Sequence, residues 1–220
     1  MLVHLNAFHL LALQTCRQRG FVLVTALIFL LLITMLAVSI SQHALLQQRM
    51  AGSLRNAQQA RLSAENALRG AEYRIWSIAS QQDIRLHCQE GRISTVDGCV
   101  VYRPPAAPYG ANGTITQFQT ASGWLPGVGK TYAGPQGNGY TSNQTQPSAA
   151  LAVNPVYLIE DLGSERPPGV GGLHESGNTG PNNGGAGLDI HLYRITARGA
   201  GGNPNAVRVV QSTFSAPASP

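Results

Sequence analysis

Residues 17–42 read RQRGFVLVTALIFLLLITMLAVSISQ, and from Phe21 to Gln42 that stretch carries no charge. At about 1.5 Å per residue, a helix over this run is long enough to cross the hydrocarbon core of a bilayer. Upstream lies a leader ending in Arg17, Arg19 and Gly20, with Gly20 abutting the apolar run. A secretory signal peptide has a shorter apolar core and is cut beyond it. Ala37-Val38-Ser39 offers the small residues a signal peptidase inspects, but cutting there would discard a helix whose pattern continues onward. An uncleaved signal anchor is a second reading of the same run. Arg17 and Arg19 on one flank face Arg49 and Arg55 on the other, so flanking charge leaves the orientation open.

Past the run, apolar residues recur at Leu46, Met50, Leu54, Ala57, Ala60, Ala64, Leu68, Ala71, Ile75 and Ile78. Steps of three and four residues place them on one helical stripe, so one helix is predicted from Phe21 to about Ser80. Arg61, Glu65, Arg69 and Glu72 fall beside the stripe and read as a solvated edge of mutual ion pairs. Gly52 is the weak point, costing about 1 kcal/mol relative to Ala and marking a place for local melting or bending.

The 220-residue chain is 11% charged, against about 25% in an ordinary soluble domain. Its net charge of +5 comes from 15 basic and 10 acidic side chains, and no acidic residue precedes Glu65. Arg49, Arg55 and Arg61 point about 120° apart on a helix, which makes no stripe for a phosphate backbone. No nucleic-acid partner is therefore expected.

A basic leader ending in Gly, then Phe, then an apolar helix that continues amphipathically resembles the amino terminus of a type IV prepilin. More narrowly, LLQQRMAGSLRNAQQARLSAENALRGAE at 45–72, VYLIEDLG at 156–163, YRITARGAGG at 193–202 and VRVVQSTF at 207–214 resemble the PilX-type minor pilins of type IV pili. The resemblance implies removal of a leader, residues 1–20, by prepilin peptidase between Gly20 and Phe21, and N-methylation of Phe21. It also implies a transmembrane half of the helix at 21–42, an amphipathic half at 43–80 and an extracytoplasmic domain at 81–220. The subunit would stand in the inner membrane as a single-pass protein with a periplasmic domain, then enter an extracellular pilus. Implied partners are other minor pilins, the major pilin and a PilY-type tip adhesin, with roles in initiating assembly, adhesion and twitching motility. Small residues at Ala51, Gly52, Ala57, Ala60, Ala64, Ala67 and Ala71 would let helices approach closely in such a bundle. Most major pilins carry Glu at the fifth mature position, where this chain has Thr25. Alternatives are a minor pseudopilin of a type II secretion system and a signal-anchored periplasmic binding or catalytic domain.

After about residue 90 the pattern changes to short extended runs between turn residues. Strands are predicted at Cys99–Tyr102, Thr114–Thr120, Val156–Glu160, His191–Ala197 and Val207–Phe214, the last two flanking a long loop, Arg198–Ala206. An amphipathic helix on a small antiparallel sheet gives an α+β architecture, the ladle of pilins. With the leader gone, Cys88 and Cys99 remain, and in an oxidising compartment they are expected to form a disulfide. Their C-x10-C spacing, with His87 alongside, lacks the close ligand pairs of structural zinc. Residues 166–188, RPPGVGGLHESGNTGPNNGGAGL, read as a long loop, either spacer or binding surface. Calcium through Glu175 and the neighbouring Asn residues finds no acidic ligand ladder there.

No motif supports catalysis, and neither a cofactor nor a metal is expected. Trp124-Leu-Pro-Gly-Val-Gly-Lys-Thr131 imitates a phosphate loop but has Trp where the first Gly is required. No G-x-S-x-G elbow occurs. Glu160 and Asp161 are adjacent, so a strand sends them to opposite faces, and Asp161 with Gly163 reads as a strand-end turn. Asn112-Gly-Thr114 and Asn143-Gln-Thr145 match glycosylation acceptors in form only.

Overall fold

The computed structural model describes residues 20–81, 86–105, 107–142, 145–164 and 190–217. The leader through Arg19 and the Gly/Pro/Asn-rich tract at 166–188 lie outside these residues, as do Asn143 and Glu175. Helix α1 runs unbroken over Phe21–Ala79, 59 residues, and passes through Gly52 without interruption. The chain divides into two compact units, Met1–Met50 and Ala51–Pro220. In the first, the side chains of the apolar run are exposed.

In the second unit a sheet of six strands is built from β1 (Cys88–Gln89), β2 (Cys99–Val101), β3 (Lys130–Thr131), β4 (Val156–Ser164), β5 (Ile190–Ala200) and β6 (Val207–Pro217). The order is β1-β2-β4-β5-β6, with β3 also pairing β4. The β3–β4, β4–β5 and β5–β6 pairs are antiparallel. However, β1–β2 and β2–β4 are parallel, so the sheet is mixed rather than antiparallel throughout. The long stretch between β2 and β4 gives the chain room to return and lay them side by side in the same direction.

Residues 51–79 of α1 cover one face of this sheet. Ala60, Ser63, Ala64, Ala67, Ala71, Ile75 and Ile78 are buried, and the lower part of that stripe packs on Cys99, Tyr157, Ile159, Tyr193, Ile195 and Ala197. Each large apolar side chain buried this way stabilises the fold by about 1.5–3 kcal/mol. The alanines contribute little area; they allow close approach. Ala60, Ala64, Ala67 and Ala71 are therefore spent on the chain's own sheet and are not free for a helix bundle, correcting the expectation from sequence.

The other face of the sheet is covered by helix α2 (Thr114–Thr120) and the segments around it. Ile115 and Phe118 of α2 pack with Val100, Val156 and Leu158. A strand was expected at 114–120, because Thr114, Ile115 and Thr116 favour one locally. The two apolar residues are three apart, and docking both on one surface requires a helix. Thr116 and Thr120 donate to the Tyr109 and Thr116 carbonyls at 2.9 and 2.7 Å, so their hydroxyls cost the helix nothing.

The β5–β6 hairpin is longer than expected and its loop shorter. Pairing continues to Ala200 against Val207, leaving residues 201–206 as the connection. Nor does β4 stop at Glu160: it runs on to Ser164 with a register irregularity between Asp161 and Ser164, where Gly163 has φ +92°. Asp161 and Gly163 form a bulge within a strand, and the left-handed backbone there suits Gly.

Candidate functional site

The features that bear on function are the amino-terminal turn of α1 and the devices that fix its later half to the sheet. In the first turn, the Thr25 hydroxyl donates to the Phe21 carbonyl at 3.2 Å and the Val22 carbonyl at 3.0 Å. Thr34 and Ser41 likewise donate to the Leu31 and Ala37 carbonyls, at 2.8 and 2.9 Å. Each of these three hydroxyls is satisfied on its own helix and so carries little cost into a bilayer. One stretch of α1 is thus long and apolar enough to cross a membrane.

At the far end of α1, Asp97 is 1% exposed and ties three segments together. Its Oδ1 accepts from Arg74 Nη2 at 3.1 Å and Arg74 Nε at 3.3 Å. Its Oδ2 accepts from the His87 backbone N–H at 3.0 Å and meets His87 Nδ1 at 3.1 Å. Burial alone would raise the Asp97 carboxyl, but the hydrogen bonds from His87 and Arg74 outweigh it and hold the group below its ordinary value. A carboxyl depressed on folding stabilises fully above its unfolded value of about 3.9 and loses that contribution as the pH falls through the folded value. Stability of the wild-type chain is therefore expected to decline below about pH 4. Asp97→Asn is expected to be less stable at neutral pH and to show a flatter acid decline, which urea titrations between those conditions would measure.

Beside this clamp, Cys88 and Cys99 form the expected disulfide. They are directly paired across β1 and β2, so the bond fastens the chain leaving α1 to the sheet. Closing a loop of this size is worth about 3 kcal/mol against the unfolded chain. Replacing both cysteines with serine is expected to cost about that much in thermal or urea unfolding.

On the α2 face, Glu160 is fully buried and accepts from Arg194 Nε and Nη2 at 2.7 and 2.6 Å, and from Gln119 Nε2 at 3.0 Å. Asp161 points the other way and meets His191 Nδ1 at 2.8 Å. The opposite-face reading of these adjacent acids holds. Four residues beyond Arg194 along β5, Arg198 is also fully buried and donates to the carbonyls of Phe118, Ala121 and Gly123 at the end of α2. Burial pulls its guanidinium down from its ordinary value. The sequence held a signal for this: Arg194, Thr196 and Arg198 alternate along a strand whose other neighbours are apolar, which sends both arginines to one face. What they meet there depends on α2, whose helical form its local sequence does not announce.

The phosphate-loop imitation is structural. Lys130 and Thr131 pair with Tyr157 and Val156 of β4, Lys130 donates to the Thr95 carbonyl at 3.3 Å, and Trp124, Leu125 and Val128 pack on the core beneath α2. Of the expected paired edge on α1, Arg61–Glu65 forms at 2.8 Å. Glu72 instead accepts from Ser212 at 2.7 Å. Among the described residues no group of three or more His, Cys, Asp or Glu is placed to hold a metal ion.

Comparison with protein families matches residues 19–69 to the PilX N-terminal family and residues 104–216 to the C-terminal family of the type IV pilus assembly protein PilX. The chain belongs to the PilX family. The two matches meet the structure at its informative parts: the first covers the apolar run and the helix up to Arg69, the second α2 and β3 through β6. No curated protein and no solved structure matches the chain. Membership in the PilX family makes this a minor pilin related to type IV pilus assembly, a structural kind of protein, and implies contacts with other pilus components.

Proposed function

We propose that this PilX-family chain is a prepilin whose leader is cut between Gly20 and Phe21 by prepilin peptidase, with Phe21 N-methylated. The mature subunit waits in the inner membrane through residues 21–42, with its domain in the periplasm, and is then drawn into the pilus. Without the leader the chain keeps 13 basic and 10 acidic side chains, a net charge of +3. The observation that carries its place in the fibre is Thr25. A Glu at this position could pair with the terminal amine of a neighbouring subunit, whereas the Thr25 hydroxyl turns back onto Phe21 and Val22. A subunit lacking that axial contact fits the tip, or the initiation of the fibre, better than the shaft. There it would join other minor pilins and a PilY-type adhesin, supporting adhesion and twitching motility.

Mass spectrometry of the mature amino terminus is the decisive test. Methylated Phe21 is the expected species, and an intact Met1 would overturn the proposal. Labelled protein spaced along the shaft at major-pilin density would overturn the tip assignment.

A further inference from the structure

Residues 124–129 and Thr131 form one wall of a cavity of ≈ 360 Å³. Opposite them stand Thr141, residues 152–154 and the start of β4 at Val156. No residue of α1 lines this cavity, in contrast to another of ≈ 300 Å³ lined in part by Gln59, Leu62 and Asn66. A surface that covers the helix therefore need not close it.

The walls are fixed before any ligand arrives. The carbonyls of Ala121 and Gly123, just ahead of Trp124, accept from the buried Arg198 guanidinium at 2.7 and 2.5 Å. Leu125 and Val128 pack on the core that contains Phe118, and Thr131 pairs with Val156. Across the cavity, Asn154 Oδ1 accepts from the Tyr140 backbone N–H at 2.7 Å. The Leu151 N–H donates to the Tyr140 carbonyl at 2.8 Å. A site held in advance binds without first having to order its own loops.

The lining decides what fits. Among the described residues no Asp, Glu, His, Lys or Arg lines the cavity, so a phosphate, carboxylate or ammonium group would give up its water without meeting a counter-charge. Trp124, Leu125 and Val153 supply apolar surface, whereas Thr131, Thr141 and Asn154 supply neutral hydroxyl and amide groups. An acyl chain would cover those polar groups and leave them unpaired. A sugar ring meets both demands. Its C–H face lies against an indole, whose π face is electronegative, and its hydroxyl rim bonds to hydroxyl and amide. The volume is at the small end for ligand sites, which suits a short glycan rather than a large cofactor.

We infer that the cavity between Trp124, Thr141 and Asn154 is a binding site for a neutral pyranose of a glycan, which makes this chain a sugar-binding subunit in its own right. The inference goes beyond the pilus-subunit reading and does not depend on it.

The test uses the full-length chain in nanodiscs, since many detergents are themselves glycosides. The probes are the methyl glycosides of N-acetylglucosamine, a neutral sugar of the bacterial wall, and of galactose, which that wall lacks; octanoate and glucuronate are the controls. Saturation-transfer NMR measures affinity. The two tryptophans, Trp76 and Trp124, carry a fluorine label so that their separate resonances place the ligand. Saturable binding of at least one methyl glycoside is expected, with the Trp124 resonance moving and the Trp76 resonance still. Tighter binding of the N-acetylglucosaminide assigns the site to a wall glycan, and of the galactoside to a glycan outside the cell. Trp124→Leu is expected to weaken binding by about tenfold, and Thr141→Val by about fivefold. Because Thr141 is exposed, the latter variant is not expected to shift the unfolding of the purified chain. A Trp124 resonance that neither glycoside moves would overturn the inference. So would tighter binding of octanoate or glucuronate than of both glycosides, or an affinity unchanged in both variants.

Discussion

Gly199→Val is expected to destabilise the second unit by at least about 3 kcal/mol. Strand propensity alone points the other way, since Val exceeds Gly by up to about 1 kcal/mol in a sheet. Packing decides the sign. A Cβ on Gly199 would lie 2.1 Å from Ser63 Oγ, 2.4 Å from the Ala64 nitrogen and 2.5 Å from the Ala60 carbonyl oxygen. Two of these are backbone atoms of α1, and the Ser63 hydroxyl is itself fixed, donating to the Ala60 and Ala200 carbonyls at 2.9 and 3.1 Å. None can yield without lifting the helix from β5. Lifting it would uncover the contacts of Ala64 and Ala67 as well. Urea unfolding of the purified chain, followed by far-UV circular dichroism, measures the loss. A variant as stable as wild type would show that the close approach of helix to strand contributes nothing.

Arg198→Met is the second large effect, and two terms compete in it. Removing the guanidinium relieves the cost of burying a cation with no carboxylate beside it. It also leaves the buried carbonyl of Phe118 and the partly buried carbonyls of Ala121 and Gly123 without their donor, at about 1–3 kcal/mol for an acceptor left fully buried and less for the other two. Together the three acceptors outweigh one cation that already sits favourably at the carboxyl end of a helix, so a net loss of about 2 kcal/mol is expected. Arg198→Lys is expected to recover only part of it, because a compact ammonium lacks the planar fork that spans several carbonyls. Hydrogen exchange over residues 114–120 separates the two terms. Faster exchange in the Met variant is expected, whereas unchanged protection with higher stability would mean that desolvation dominates.

Both predictions concern groups whose roles the sequence displays only partly. The hairpin β5–β6 was legible because alternation along each strand is strict and the turn residues between them are concentrated. Its ends were not, since Gly199 and Ala200 resemble loop residues when read alone. The same ambiguity made α2 look like a strand: seven residues with three threonines carry too little helical preference to outweigh a local bias toward extension. The disulfide followed from an oxidising compartment once the leader was set aside. The clamp of Arg74 and His87 on Asp97 did not, because it joins residues separated by a turn whose path the sequence does not specify.

The amino-acid sequence by itself determined the uncharged apolar run and its continuation as one helix to about Ser80. These rest on local facts: which residues carry charge, and the period at which apolar ones recur. The tertiary structure alone decided which surface that helix keeps for itself and which it leaves open. Ala60, Ala64, Ala67 and Ala71 suit a helix neighbour and a sheet neighbour equally well, since a methyl group permits close approach to either. The close approach of Gly199 to Ala60, Ser63 and Ala64, and the packing of Ala67 and Ala71 on the sheet core, assign that face to the chain's own sheet.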